Sequence, residues 1–187
     1  KEAAARGEAM AQFNLGVVYR TGRGVLENDK EAAKWWRKAA EQGHVLAQHN
    51  LGIMYDNGEG VPEDNAEAVK WYRKAAEQGN AYAQLNLGLM YAFGKGVPKD
   101  DAEAVKWYRK AAEQGYGTAQ HSLGVMHATG SGVPMNYVTA CAWWNIASLN
   151  GNAASKESRG VKYVIKRMTD RQIALAQKLS REMIKKN

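Results

Sequence analysis

Apolar residues recur along this chain with two nested periods. Over stretches of about a dozen residues they return every three to four positions, which places them on one face of an α-helix. Over longer distances the whole pattern repeats: Leu15-Gly16, Leu51-Gly52, Leu87-Gly88 and Leu123-Gly124 stand 36 residues apart. Tyr19, Tyr55 and Tyr91 keep the same spacing, with His127 in the fourth copy, and so do Trp35, Trp71, Trp107 and Trp143. Each copy closes on Gly43, Gly79, Gly115 or Gly151. Recurrence this strict is the mark of a repeat architecture, whose units bury their apolar faces only against neighbouring units.

Each copy predicts two helices. The first runs from about Ala9 to Arg20, with equivalents from Leu46, Tyr82 and Thr118; Ala11, Leu15 and Tyr19 share one face. The small Gly16 and its equivalents mark points of close helix approach. A Gly-x-Gly turn follows (Gly22-x-Gly24, Gly58-x-Gly60 and their copies). The second helix then opens on capping-box spacings, Asn28 with Glu31, Asp64 with Glu67 and Asp100 with Glu103. Its apolar stripe is Ala68, Trp71/Tyr72 and Ala75/Ala76, and Gly79 ends it. This divides the chain into copies at 8–43, 44–79, 80–115 and 116–151 within one solenoid domain, 1–187. Residues 1–7 read as the end of a preceding second helix, and 152–187 as a pair of capping helices. In that cap Val161, Val164, Ile165 and Met168 form one stripe. Thr169 and Gln172 open a last helix carrying Ile173, Ala176, Leu179 and Met183.

Composition supports a folded helical chain: 45% hydrophobic, 24% charged and three prolines. One cysteine, Cys141, cannot form an intramolecular disulfide, so packing carries stability. No apolar run approaches the ~20 residues that span a bilayer. The first residue is Lys1, without an apolar leader, which fits a removed signal peptide or a trimmed chain; bacterial periplasm, secretion and cytoplasm all remain open. The net charge of +7 resides in residues 153–187, which carry ten Lys and Arg against three Asp and Glu. These cations are Lys156, Arg159, Lys162, Lys166, Arg167, Arg171, Lys178, Arg181, Lys185 and Lys186. They suggest an electrostatic binder of an acidic partner, nucleic acid or anionic surface as the alternative reading. Tyr163 is the one aromatic there able to stack on a base, which argues against nucleic acid.

Catalytic chemistry finds little footing. His44, His49, His121 and His127 form no His-Glu-x-x-His, and there is no cysteine cluster, so no metal site is expected. The Gly-x-Gly turns lack the preceding strand and the following Gly-Lys-Ser/Thr of a phosphate loop. Asp100 and Asp101 sit at a helix start, where capping explains them. Cys141 replaces Val69 and Val105, so it is expected to be a buried small apolar residue. No catalytic residue and no cofactor is expected.

The motif Ala47-Gln-x-Asn-Leu-Gly-x-Met-Tyr55, with Gly58-Glu-Gly-Val-Pro62 and Ala68-x-x-Trp71-Tyr-Arg-Lys-Ala-Ala-Glu-Gln-Gly79, resembles the Sel1-like repeat family, relatives of the tetratricopeptide repeats. The resemblance covers about residues 2–151. It implies an all-α, right-handed α-solenoid of helix–turn–helix repeats and an adaptor or scaffold role, often bacterial. A cysteine-rich subgroup has been linked to β-lactam binding; lacking those cysteines, this chain gives no reason to carry that activity over. By analogy with tetratricopeptide repeats, the first helices line a concave, partner-binding face. The projected groove positions are Met10, Phe13, Val17, Arg20 and Thr21; Leu46, His49, Ile53, Asp56 and Asn57; Tyr82, Leu85, Leu89, Ala92 and Phe93; Thr118, His121, Val125, Ala128 and Thr129. Of these, Val17, Ile53, Leu89 and Val125 read better as inter-repeat core, and Phe13, Tyr82 and Phe93 as anchors. With Arg20 the one basic groove residue, a carboxylate clamp is disfavoured. Asn14, Asn50 and Asn86 are expected to bond a neighbouring repeat or a peptide backbone. The expected partner is a protein or peptide, and an exposed repeat end would also suit end-to-end self-association.

Overall fold

The computed structural model describes residues 2–186, and every regular element among them is helical. The chain forms two compact units, Lys1–Pro98 and Lys99–Asn187. The first holds α1 (Glu2–Ala5), α2 (Ala9–Thr21), α3 (Asp29–Glu41), α4 (Val45–Asn57), α5 (Asn65–Glu77) and α6 (Ala81–Phe93). The second holds α7 (Asp101–Glu113), α8 (Gly117–Thr129), α9 (Tyr137–Leu149), α10 (Ala154–Glu157), α11 (Arg159–Ile165) and α12 (Asp170–Lys186).

Helix starts follow side-chain capping. Asn28, Asp64 and Asp100 accept the amide N–H of Glu31, Glu67 and Glu103 at 3.1, 2.9 and 3.0 Å. Asn136 does the same for Thr139. The first helices of copies two to four begin one residue earlier than their apolar pattern suggests. In α4 and α6, His44 Nδ1 and Asn80 Oδ1 already satisfy the amides of Ala47 and Ala83.

Two recurring contacts join the helices. First, a buried glutamine stands in the first turn of each copy's first helix. Gln12, Gln48, Gln84 and Gln120 donate to the carbonyls of Ala4, Ala40, Ala76 and Ala112, at 3.2 to 2.9 Å. Their side-chain oxygens also accept: Gln12 from Gln42, Gln48 from Gln78, and Gln120 from Asn150. A buried amide with both ends satisfied stabilises and also fixes register. Second, Gly16, Gly52 and Gly124 face aromatic rings. A Cβ on Gly52 would lie 2.6 Å from Tyr72, and one on Gly124 2.3 Å from Trp144. These two glycines, with Gly16 against Trp36, are the close approaches their spacing predicts.

The turn glycines act differently. Gly60, Gly96 and Gly132 hold φ near +68°, and a Cβ there would strike the backbone of Asp29, Asn65 and Asp101 respectively. Each turn therefore seats itself on the first residue of the preceding copy's second helix. Arg37 and Arg73 bond the hydroxyls of Tyr55 and Tyr91 across two of these junctions. In the second unit His127 stands at the tyrosine position, and burial and Arg109 hold its pKa down.

After Leu149 the chain makes three helices where the sequence suggests two. Val161, Val164, Met168 and Ala176 pack on Ala140, Cys141 and Trp144 of α9. Thr169 and Gln172 form a reciprocal capping box, with Thr169 N–H to Gln172 Oε1 at 2.9 Å. Ile165, expected in this stripe, is 42% exposed, because α11 ends there and the chain turns away.

Candidate functional site

The first helices of the first unit, α2, α4 and α6, carry the projected groove positions of the first three copies. Four are large and exposed: Met10, Leu46, Tyr82 and Phe93, from 48% to 72%. Phe13 is half-buried, stacked on His44 at 4.5 Å and near Trp36, so it contributes to packing. Leu85, projected into the groove, is buried at 8%; its place on α6 points into the core and offers no surface. Val17, Ile53 and Leu89 are half-buried.

Arg20 is held by carboxylates: Glu59 at 2.6 Å, Asp29 at 3.0 Å and Glu27 at 3.7 Å. In the next copy the polarity reverses. Asp56, at the position of Arg20, faces Lys95, at the position of Glu59, across 3.6 Å. Tyr72 donates to Asp56 Oδ2 at 3.4 Å, and burial together with that carboxylate pushes the phenol's pKa upward, so it stays protonated. Asp56 Oδ1 is buried and accepts no hydrogen bond.

Beside this pair, His49 lies between the rings of Tyr72 and Tyr82, at 6.0 and 5.9 Å. Asn86 Nδ2 is 3.3 Å from His49 Nε2, so this asparagine bonds a neighbouring repeat, as its spacing suggests. Burial lowers the His49 pKa, and the ring is neutral at pH 7. A cavity of about 250 Å³ opens here, lined by Asp56, Asn86, Leu89, Met90, Phe93 and Lys95. Sequence reasoning missed Lys95. Its signal is that the second residue of the turn changes in every copy: Arg23, Glu59, Lys95, Ser131.

In the second unit Thr118 is exposed, and Val125, expected as core, is 40% exposed. His121 Nδ1 lies 2.8 Å from Ser155 Oγ of α10, so the capping segment occupies this groove position. A Ser–His pair is the start of a nucleophile, but Ser155 is 3% exposed, and its amide and hydroxyl both reach Asn152 Oδ1 in a local turn. Cys141 is 7% exposed, directs its thiol at Met168 Sδ, and has its pKa pushed by burial up to about 11. It is therefore expected to resist iodoacetamide at pH 8 in the folded protein and to react in urea; labelling read by mass spectrometry checks this. Nine basic residues of the C-terminal segment, from Lys156 to Lys185, are exposed, and Arg167 lies over the Tyr163 ring. The side chain of Lys186 lies outside the described residues. Among the described residues no group of His, Cys, Asp and Glu is placed to hold a metal, and no helix is long and apolar enough to cross a membrane.

The Sel1 repeat model matches residues 9–44, 45–80, 81–116 and 117–152. The chain belongs to the Sel1 repeat family. Among solved structures it is similar to a Sel1 repeat protein from Oxalobacter formigenes. The two are 37% identical with a TM-score of 0.78, over 88% of this chain and 74% of that one. It is also similar to c5321, a protective antigen of uropathogenic Escherichia coli with an SLR fold. That match is 33% identical with a TM-score of 0.63, over 98% of this chain. The chain spans 47% of c5321. Helicobacter pylori cysteine rich protein B matches at 28% identity and a TM-score of 0.51, over 63% of this chain and 84% of that one. No curated protein matches. The Sel1 repeats make this chain an all-helical solenoid-type scaffold, an architecture consistent with protein interaction.

Proposed function

We propose that this Sel1 repeat protein is a non-catalytic adaptor that binds an extended protein segment along the first helices of its repeats. One observation carries the reading. Positions that pack repeat on repeat keep their residue type, whereas Met10, Leu46 and Tyr82, at one position of three successive copies, differ and remain exposed. Phe93 adds an exposed aromatic at the edge of a cavity. Exposed aromatics flanked by polar groups are what interface anchors look like in the free state. The closed Ser155 and the protonated Cys141 support the non-catalytic half of the reading.

Selection of a random-peptide library on the wild-type protein tests it. The enriched peptides should bind a Tyr82→Ala/Phe93→Ala variant about tenfold more weakly, the loss of one good anchor. Both side chains are exposed, so the variant should keep its circular dichroism spectrum. Acidic peptides that ignore this variant but are lost on Lys162→Glu/Lys166→Glu would instead move the interface to the basic C-terminal segment.

A further inference from the structure

The carboxylate of Asp56 is the least satisfied charge on this face. Its counterpart one repeat earlier, Arg20, has Glu59 and Asp29 within 3.0 Å. Asp56 has only the Tyr72 hydroxyl at 3.4 Å and, beyond hydrogen-bond distance at 3.6 Å, the ammonium of Lys95. Lys95 is 57% exposed, on a long stem anchored in a turn, and costs little to displace. A buried carboxylate oxygen without a donor requires an explanation. Here it borders a cavity of about 250 Å³, below the ~300 Å³ at which small-molecule sites begin, and suited to a single side chain.

The walls define that side chain. Leu89 and Met90 offer apolar surface for a methylene stem, and the Phe93 ring, 72% exposed, offers a π face. The carboxylate and the Asn86 amide stand at the polar end. An apolar stem ending in a cation is the chemistry of arginine and lysine, and the planar guanidinium suits carboxylate and ring together.

Building on the groove reading above, we propose that Asp56 is a specificity site that receives the cationic side chain, preferably arginine, of a bound peptide, with Lys95 as its resting occupant. The incoming cation replaces the Lys95 ammonium on Oδ1 while Tyr72 keeps its bond to Oδ2. The cavity between Asn86 and Phe93 holds the stem.

The test uses the whole chain and three capped probes, acetyl-Gly-Arg-Gly-amide and its Gln and Glu counterparts, titrated by NMR while the amides of Asn86, Phe93 and Lys95 are followed. The Arg probe should shift these amides and the Gln and Glu probes should not. Asp56→Asn, which keeps an oxygen for Tyr72, should weaken the Arg probe about fivefold, the scale of one partly exposed charge pair. Lys95→Gln, at an exposed site, should strengthen it by a similar factor. A Glu probe that binds and is lost in Lys95→Gln would overturn the proposal and make Lys95 the recognition group. Arg binding indifferent to Asp56→Asn would also overturn it, reducing Asp56 and Lys95 to a junction ion pair. The two readings fail separately: selected peptides that depend on Tyr82 and Phe93 but ignore Asp56→Asn would uphold the groove and overturn this site, whereas peptides indifferent to Tyr82 and Phe93 would overturn the groove itself.

Discussion

Gly124→Ala should destabilise the protein by about 1–3 kcal/mol, although alanine is the better helix former. The added methyl would fall 2.3 Å from Trp144 Nε1, inside the indole. The ring cannot simply tilt away, because that nitrogen donates to the His121 carbonyl at 3.2 Å and the side chain is buried in one core cluster with Val161 and Met168. Overpacking of this kind costs about 1–3 kcal/mol, and the strained hydrogen bond about 1 more. A propensity gain of about 1 kcal/mol offsets part of this. The control is Gly160→Ala on α11, where nothing lies within 4 Å of the added carbon. That substitution should stabilise by about 0.5–1 kcal/mol. Thermal unfolding followed by circular dichroism separates them by sign; two shifts in the same direction would refute the steric account.

Gln48→Glu tests the buried amide contact with no change of shape. The glutamine donates to the Ala40 carbonyl at 3.1 Å and accepts from Gln78 at 2.7 Å, at 4% exposure. A carboxylate can accept but cannot donate, and one of its oxygens would face the Ala40 carbonyl. The expected loss at pH 7 is about 2–4 kcal/mol, the cost of a buried charge with one unmet contact. Burial raises the folded-state pKa of the new acid above its unfolded value near 4.3. The penalty is therefore absent below about pH 4, grows as pH rises through the interval between the two pKa values, and is full above the folded one. The difference between variant and wild-type urea midpoints at pH 4 and pH 7 measures it. An equal difference at both values would show that the donated hydrogen bond matters little.

Much of the fold is legible in the sequence because the repeat states each packing rule four times. Leu51, Gly52 and Ala68 cannot vary without spoiling a junction, so they do not. The Gln48 contact is written just as plainly, at the same interval, but a glutamine in an amphipathic pattern passes for a surface residue until its burial is seen. Leu85 was misassigned for the converse reason: a position that points outward in an idealised helix turns inward here. The polar cluster at Asp56 was partly legible. Asp56 and Phe93 lie on the predicted face, but Lys95 comes from a turn, and only three-dimensional proximity pairs it with a residue 39 positions earlier. The C-terminal helices lack an internal copy to compare with, which is why Ile165 and the third short helix escaped.

The turn glycines carry a consequence for how such chains change in length. Gly60, Gly96 and Gly132 lie against the main chain of Asp29, Asn65 and Asp101, and the nearest atoms include nothing of a side chain beyond the Asp29 Cβ. Two of those residues are aspartates and one is an asparagine, and the seat is the same. A turn that reads only backbone accepts any helix that starts in the same way. Unequal crossing-over that duplicates or deletes one whole unit then leaves the backbone seat of the turn matched at each new boundary. The gene can lengthen or shorten in steps of a single repeat, with the residues at Arg20, Asp56 and their counterparts free to diversify afterwards.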